Sequence, residues 1–410
     1  MTDVRPILDM DQTSPEFASD PHGQLRRARE RCPVGWTRSN GGHWIVTGYK
    51  EMAAVAEDDA TFSSRRLNVS DGSAITIPGP QSVVNIPIEY DPPESTAFRR
   101  LMNPITSPQA VDRMKPLFRK WVTWFIDEMI EQGHGDLVLD FASPVPAAVT
   151  VEWLGFPTRD WRRFAEPYHN VVSYKPDTPE FRKAERDMHW IYEQIHSHVQ
   201  ARRTTPRDDI VSYFVRQTVD GRPLTDDELV SIISLLIAGG VDTTTSLTGQ
   251  ALLYLARHPD VRRRLIDEPD RIADATEEFL RCFAPVTALA RRATRDVTLG
   301  GVQVMKGERL WVSWAAANRD PANFPDPDTL DIDRFPNRHA SFGLGSHRCA
   351  GSTVARFMFR EMLSQILARM PEYRVDESKV EHYPSQGTNL GVLRLPATFT
   401  PGPRIGERVF

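Results

Sequence analysis

The sequence is short of most features that assign a protein at sight. Three cysteines, Cys32, Cys282 and Cys349, lie far apart in 410 residues, too few and too scattered for a disulfide framework or a multi-cysteine metal cage. Positive charge is not in excess. The 50 Lys and Arg against 55 Asp and Glu leave a formal net charge of −5, whereas a nucleic-acid binder should carry a basic face or stripe. No hydrophobic leader is visible in MTDVRPILDMDQ, which is charged from its third residue. No apolar run is long enough to span a bilayer, since the most apolar, 229–241, is short and holds two serines. There is no CxxC pair, no GxGxxG after a strand, no repeat and no Pro/Gly/Ser-rich linker. These absences leave the expectation of a cytoplasmic, reduced-compartment globular protein.

What is present is mostly helical. Apolar residues recur at three- and four-residue spacings, which predicts helices over 114–132, 181–203, 226–257, 272–283 and 352–370. Strands are expected at 43–47, 297–304, 309–312 and 389–395. The fold class is therefore mainly α with small β-sheets (α+β), in a single domain over 1–410. Thr225 with Glu228 reads as a capping box, and His258-Pro259 as a stop. Roughly 32 helical residues at about 1.5 Å each would span about 48 Å, so this helix should run through the core.

Three motifs carry chemistry. Within that core helix stands Ala238-Gly239-Gly240-Val241-Asp242-Thr243-Thr244-Thr245. Glycine costs about 1 kcal/mol in a helix interior, and β-branched threonine is a poor helix former. Either the threonines bond back to helix carbonyls and the glycines allow close packing, or the helix opens into a groove where a ligand meets an acid and an alcohol. The second motif is Phe342-Gly343-Leu344-Gly345-Ser346-His347-Arg348-Cys349-Ala350-Gly351 before a helix. Its glycines let backbone approach a flat object, and the helix dipole favours a thiolate at Cys349. A Cys–His nucleophile pair is the competing reading, though no orienting Asn or Asp is evident. The third is Glu277-Glu278-Phe279-Leu280-Arg281, which alone could be a surface salt bridge.

In this order the three motifs resemble the cytochrome P450 family of haem-thiolate monooxygenases, over about residues 20–395. The stretch 36–45, and Asp91-Pro92-Pro93-Glu94 with Phe98-Arg99, are most similar to soluble bacterial members of the camphor-hydroxylase type. The resemblance implies that fold, with haem b between the central helix and the cysteine loop. Cys349 would be the axial thiolate on the iron, with Phe342, Gly343, Gly351 and Ala238 against the haem. Arg99, Arg291 and His347 would bind the propionates, although Arg100 or Arg292 could replace its neighbour. Glu278, Arg281 and Arg334 would brace the cysteine loop. Asp242 would relay protons, and Thr243 would hold a water and a proton where dioxygen is reduced. Ser95 stands where many bacterial members have a histidine, so a further propionate ligand is in doubt there.

The resemblance also implies partners. With no room for a reductase domain, electrons should come from NAD(P)H through a flavin reductase and an iron–sulfur ferredoxin. That ferredoxin would be acidic, docking on Arg99, Arg100, Lys115, Arg119 and Arg348. Expected substrate contacts are Val83, Asn85, Ile86, Ile88, Leu235, Ala238, Val286, Thr287, Leu289, Thr388 and Asn389, a mostly apolar and uncharged set. They suit a small to mid-sized neutral molecule, hydroxylated or O-dealkylated. Two readings compete: a haem-thiolate sensor that does not turn over, which has no need of a proton relay, and a haem-free Cys–His hydrolase.

Overall fold

Helix punctuation in the sequence is obeyed along the chain. In the computed structural model, which describes residues 5–68, 72–79 and 83–409, helices α1 (Pro15–Ser19) and α2 (Pro21–Arg31) start with proline behind the side-chain caps Ser14 and Asp20. Next come α3 (Tyr49–Glu57), α4 (Glu94–Thr106) and α5 (Pro108–Ile130). The middle of the chain supplies α6 (Pro144–Leu154), α7 (Trp161–Ser173), α8 (Pro179–Thr204), α9 (Ile210–Val215) and the long α10 (Asp226–Arg257). Beyond it lie α11 (Pro259–Asp267), α12 (Ile272–Phe283), α13 (Trp314–Ala317) and α14 (Ser352–Arg369).

The α10 start is the expected capping box. Thr225 Oγ1 accepts from Glu228 N at 3.2 Å, and Glu228 Oε2 accepts from Thr225 N at 2.8 Å. By length and hydropathy, α10 and the stretch Leu137–Leu154 could each cross a bilayer, which the shorter run 229–241 did not suggest. In the fold, 67% and 72% of their most apolar windows are buried, so that surface is used by the core. The α10 helix is flanked by α6, α7 and α8 on one side and by α12 and α14 on another.

The helix is continuous at its glycines. It runs unbroken over Asp226–Arg257, and Thr243 Oγ1 donates to Gly239 O at 3.0 Å and Thr245 Oγ1 to Val241 O at 3.0 Å, so of the two readings it is the back-bonding one that is seen. The two glycines do different things. A Cβ on Gly240 would stand 2.6 Å from Thr150 Oγ1 on α6, whereas a Cβ on Gly239 would meet nothing within 4 Å.

A five-stranded sheet flanks the helices, in the order Val34–Thr37, His43–Val46, Arg309–Ser313, Ala288–Ala293, Phe62–Ser63. The pair His43–Val46 with Arg309–Ser313 is parallel and the others are antiparallel. Strand alternation puts Leu289 and Arg291 on one face and Arg292 on the other. The expected strand 389–395 shrinks to Val392–Arg394, because Asn389 makes only an isolated bridge to Val286 and turns its side chain to Asp242.

Gly240→Ala should therefore destabilise the protein by about 1–3 kcal/mol through overpacking against Thr150. Gly239→Ala should cost nothing of this kind. Urea melts of both variants measure the difference, and equal behaviour would remove this account of the α10–α6 contact.

Candidate active site

The cysteine loop is shaped by two left-handed glycines, Gly343 (φ 69°) and Gly345 (φ 66°). A Cβ on Gly345 would lie 2.2 Å from Ala56 O, so only glycine lets the loop seat on α3. Cys349 N donates to Phe342 O at 2.7 Å, closing the loop just before α14. The expected thiolate is not favoured by the protein alone. Burial pushes the Cys349 thiol up, and the Gly351 N–H with Arg99, Arg348 and Arg356 only partly offsets this. Cys349 nevertheless keeps accessible surface while protein packs all around it. Its accessible surface therefore opens on a space within the fold.

Polar side chains without an anionic hydrogen-bond partner stand near Cys349. Arg291 is 2% exposed; its Nη1 donates to Ala290 O at 2.8 Å and its Nε has no partner. Burial holds this guanidinium down at about 10, against the weaker pull of Asp59 and Asp91. His347 Nε2 is buried without a hydrogen bond; its nearest carboxylate, Asp59, is 3.8 Å away. Burial, then Arg291 and Arg99, lower His347 to about 4. Arg99 donates from Nη2 to Arg348 O and interacts with Cys349. The substitutes fall away: Arg100 is exposed, and Arg292 lies on the opposite face of its strand from Arg291. Ser95 and Ser64 add buried hydroxyls without partners, both beside Asp91, which accepts from Ser95 N at 3.0 Å and from Ser64 N at 2.9 Å.

The middle of α10 keeps an open face. Gly239 is exposed, and Ala238, Gly240 and Thr243 are half-buried, in an otherwise buried stretch. Ala238 on the helix and Ala350 in the cysteine loop pack against the same apolar cluster. A flat group carrying two carboxylates and an atom with affinity for sulfur fits these residues. It would answer Arg291, His347 and Arg99, meet the bare Gly239 face and take the Cys349 sulfur. Haem has that donor and acceptor set.

Asp242 is fully engaged by hydrogen bonds. It is 2% exposed. Tyr383 O–H donates to its Oδ1 at 2.9 Å, Asn389 Nδ2 to its Oδ2 at 2.5 Å, and His169 Nδ1 lies 2.6 Å from Oδ1. Sequence reasoning missed His169 and Tyr383, because neither stands in a motif and only tertiary folding brings them to α10. Thr244 and Thr245 are buried packing residues, as expected, with Thr245 Oγ1 also donating to Ala142 O at 3.1 Å.

The E-x-x-R motif is a buried network. Arg281 and Glu278 are 0% and 1% exposed and bond bidentately at 2.7 and 2.8 Å. Glu278 also accepts from Arg334 Nε at 3.1 Å, Asp331 N at 2.9 Å and Asn337 Nδ2 at 2.9 Å. Burial opposes its ionisation, but Arg281, the Asp331 N–H and Arg334 outweigh it and hold its carboxyl below the usual range. The link to α14 comes through Glu277, which the sequence did not single out. It accepts from Arg356 at 2.7 Å and lies 3.1 Å from His339. Burial pushes Glu277 up, yet His339 and Arg356 bring it down to about 2.

The expected substrate set divides. Val83, Asn85, Ile88, Leu235, Ala238, Val286, Leu289 and Thr388 keep accessible surface. Ile86, Thr287 and Asn389 do not. Ile86 packs in the core, with its N–H donating to Ser231 Oγ at 2.8 Å. Thr287 is 0% exposed and spends its hydroxyl on Gln386 O at 2.6 Å, and Asn389 serves Asp242. A cleft of about 750 Å³ lined by Trp124, Glu128, Trp161, Arg404 and Arg408 holds none of the residues singled out above.

A buried cation without a counter-ion is destabilising until a ligand answers it. Arg291→Leu should therefore leave the haem-free protein as stable as the parent, or more stable by about 1–3 kcal/mol, while speeding haem loss. Urea melts of the haem-free protein and haem transfer to an acceptor protein measure the two effects. A destabilised haem-free variant would contradict this reading of the cluster.

The comparisons with known proteins agree with this geometry. The family profile described as Cytochrome P450 matches residues 155–400. The chain is 32% identical over 371 residues to "Cytochrome P450 130" of Mycobacterium tuberculosis, covering 88% of this chain and 91% of that one. It is 33% identical over 385 residues to "Mycinamicin IV hydroxylase/epoxidase" of Micromonospora griseorubida, covering 92% and 95%. The solved structure of CYP109E1 from Bacillus megaterium in complex with testosterone superposes with a TM-score of 0.84 at 27% identity, covering 94% of this chain and 99% of that one. The motifs, the fold and these matches agree: the protein belongs to the cytochrome P450 family of monooxygenases.

Proposed function

We propose that this monooxygenase hydroxylates, or O-dealkylates, a neutral, small to mid-sized, largely apolar molecule. Electrons would reach it from NAD(P)H through a ferredoxin reductase and a ferredoxin, and the chain would work as one domain in the cytoplasm. As in its family, a cysteine thiolate holds haem b. The observation that carries the residue assignment is the grouping of accessible Cys349 with Arg99, Arg291 and His347, the last two keeping buried nitrogens without partners; the open face of α10 supports it.

The haem, when bound, supplies dioxygen activation and insertion of one oxygen atom into the substrate. Cys349 Sγ would hold its iron, so the proton favoured on the free thiol would be displaced on loading. Arg99 and Arg291 would hold its carboxylates, relieving the burial of their own charge, with His347 as a further hydrogen-bond donor. Val83, Leu235, Val286 and Leu289 would grip the substrate and exclude water, with Asn85 and Thr388 orienting it. Thr243 Oγ1, which now donates to Gly239 O, would swing to hold a water and a proton at the reacting face. Asp242 would supply that proton. The sensor reading is disfavoured by this acid–alcohol pair. Testosterone in the structural relative and mycinamicin IV in the name of the hydroxylase relative favour substrates at the larger end of the range.

The basic docking face is narrower than the sequence suggests. Lys115 is paired with Asp112 at 2.7 Å, and Arg119 lies 3.6 Å from Glu361, whereas exposed Arg100 and Arg348 have no acidic partner among the described residues. These two should attract an acidic ferredoxin over a screening length of about 10 Å at 0.1 M salt.

Two outcomes are expected. Thr243→Ala should keep consuming NAD(P)H while product per electron pair falls several-fold and peroxide rises; unchanged coupling would remove Thr243 from this role. Arg100→Glu with Arg348→Glu should slow reduction by an acidic ferredoxin and flatten its salt dependence, whereas a parent rate insensitive to salt would exclude this face. A substrate panel read by the Soret spin shift tests the pocket, and binding confined to charged compounds would contradict it.

A further inference from the structure

A carboxylate that hands protons inward needs a route by which protons reach it, and Asp242 is 2% exposed. Its three partners are not equivalent. Asn389 is an amide and only donates here. Tyr383 is a buried phenol, held well above its ordinary range by burial and by Asp242, so it keeps its proton. The third partner, His169 on α7, is different. In the tautomer in which Nδ1–H donates across the 2.6 Å contact to Asp242 Oδ1, the lone pair stands on Nε2. Nε2 has no protein partner among the described residues, and the side chain keeps 13% of its surface accessible. The Tyr383 ring stands edge-on to the imidazole, 5.3 Å between centroids, with its oxygen 3.5 Å from Nδ1. Asp242 from α10 and Tyr383 from the C-terminal segment are the titratable groups seen against the ring.

We infer that His169 is the proton-uptake and positioning residue for Asp242, an inference that rests on reading Asp242 as the proton source of the site. The step balances. A proton from water adds to Nε2, the Nδ1–H bond breaks, and that proton joins Asp242 Oδ1, leaving both ring and carboxyl neutral. Exchange with water restores the Nδ1–H tautomer after Asp242 passes its proton on. The same bond pins α7 to α10, but not alone. The neighbouring Tyr168 hydroxyl lies 2.7 Å from Ser234 Oγ on α10, so α7 stays anchored when His169 is changed.

His169→Gln separates the two roles, because an amide can still donate to Asp242 but cannot carry a proton through. In haem-loaded His169→Gln, melting, the substrate-induced spin shift and hydrogen exchange of the α7 amides should match the parent. Product formation should fall about tenfold, with a solvent deuterium isotope effect clearly larger than the parent's. His169→Ala should show the same loss of turnover together with faster α7 exchange. Parent turnover and isotope effect in His169→Gln, with Asp242→Asn impaired, would overturn the inference and leave the Asp242 role standing. Parent turnover in Asp242→Asn would instead remove the reading beneath it. Slower turnover in His169→Gln that tracks loosened α7 exchange, with no change in isotope effect, would make His169 a latch only and likewise overturn it.

Discussion

A charge taken out of water must be answered by another charge or by hydrogen bonds, and the site is organised by where this condition is met. Glu278 meets it completely, with Arg281, Arg334, Asn337 and the Asp331 N–H on its two oxygens. Asp242 meets it with Tyr383, Asn389 and His169. Arg291 does not. Its Nε and the nearby His347 Nε2 are buried without partners, so the protein carries, beside an accessible thiol, a binding demand for an anionic group. Satisfied networks hold the scaffold still; the unsatisfied one is the place proposed for the cofactor.

The long helix serves both sides of this arrangement because its residues are sorted by direction. Gly240 lets α6 approach, Thr245 bonds to Ala142 O on the neighbouring segment, and Asp242 reaches α7 and the C-terminal segment. Gly239 and Thr243 are left facing open space. No break in the helix is needed to make the groove. Small side chains on one face of an intact ladder suffice, because a glycine next to a void removes the Cβ that would fill it.

Much of the frame was legible in the sequence. The helices predicted at 226–257 and 272–283 have those bounds in the structure, since their caps and apolar periodicity are local. The cysteine loop was legible for the same reason: Gly343 and Gly345 sit where the backbone needs positive φ. The misses are long-range. Glu277 was passed over for its neighbour Glu278, although it is the residue that binds Arg356 on α14. The substrate list included Ile86, Thr287 and Asn389, whose side chains the fold spends elsewhere. The docking face included Lys115 and Arg119, which the fold partners with acids.

By itself the sequence determined that 226–257 and 272–283 are helical, that one cysteine stands in a glycine-shaped loop before a helix, and that an acid and an alcohol lie side by side in the core helix. Each of these depends on residues within a few positions of one another, where propensity, capping and backbone φ act. Tertiary structure alone decided which charges are answered and which are left waiting. Burial and partnership depend on residues brought from 73 positions away, as His169 is to Asp242, or from 141, as Tyr383 is, and no local rule encodes such a meeting.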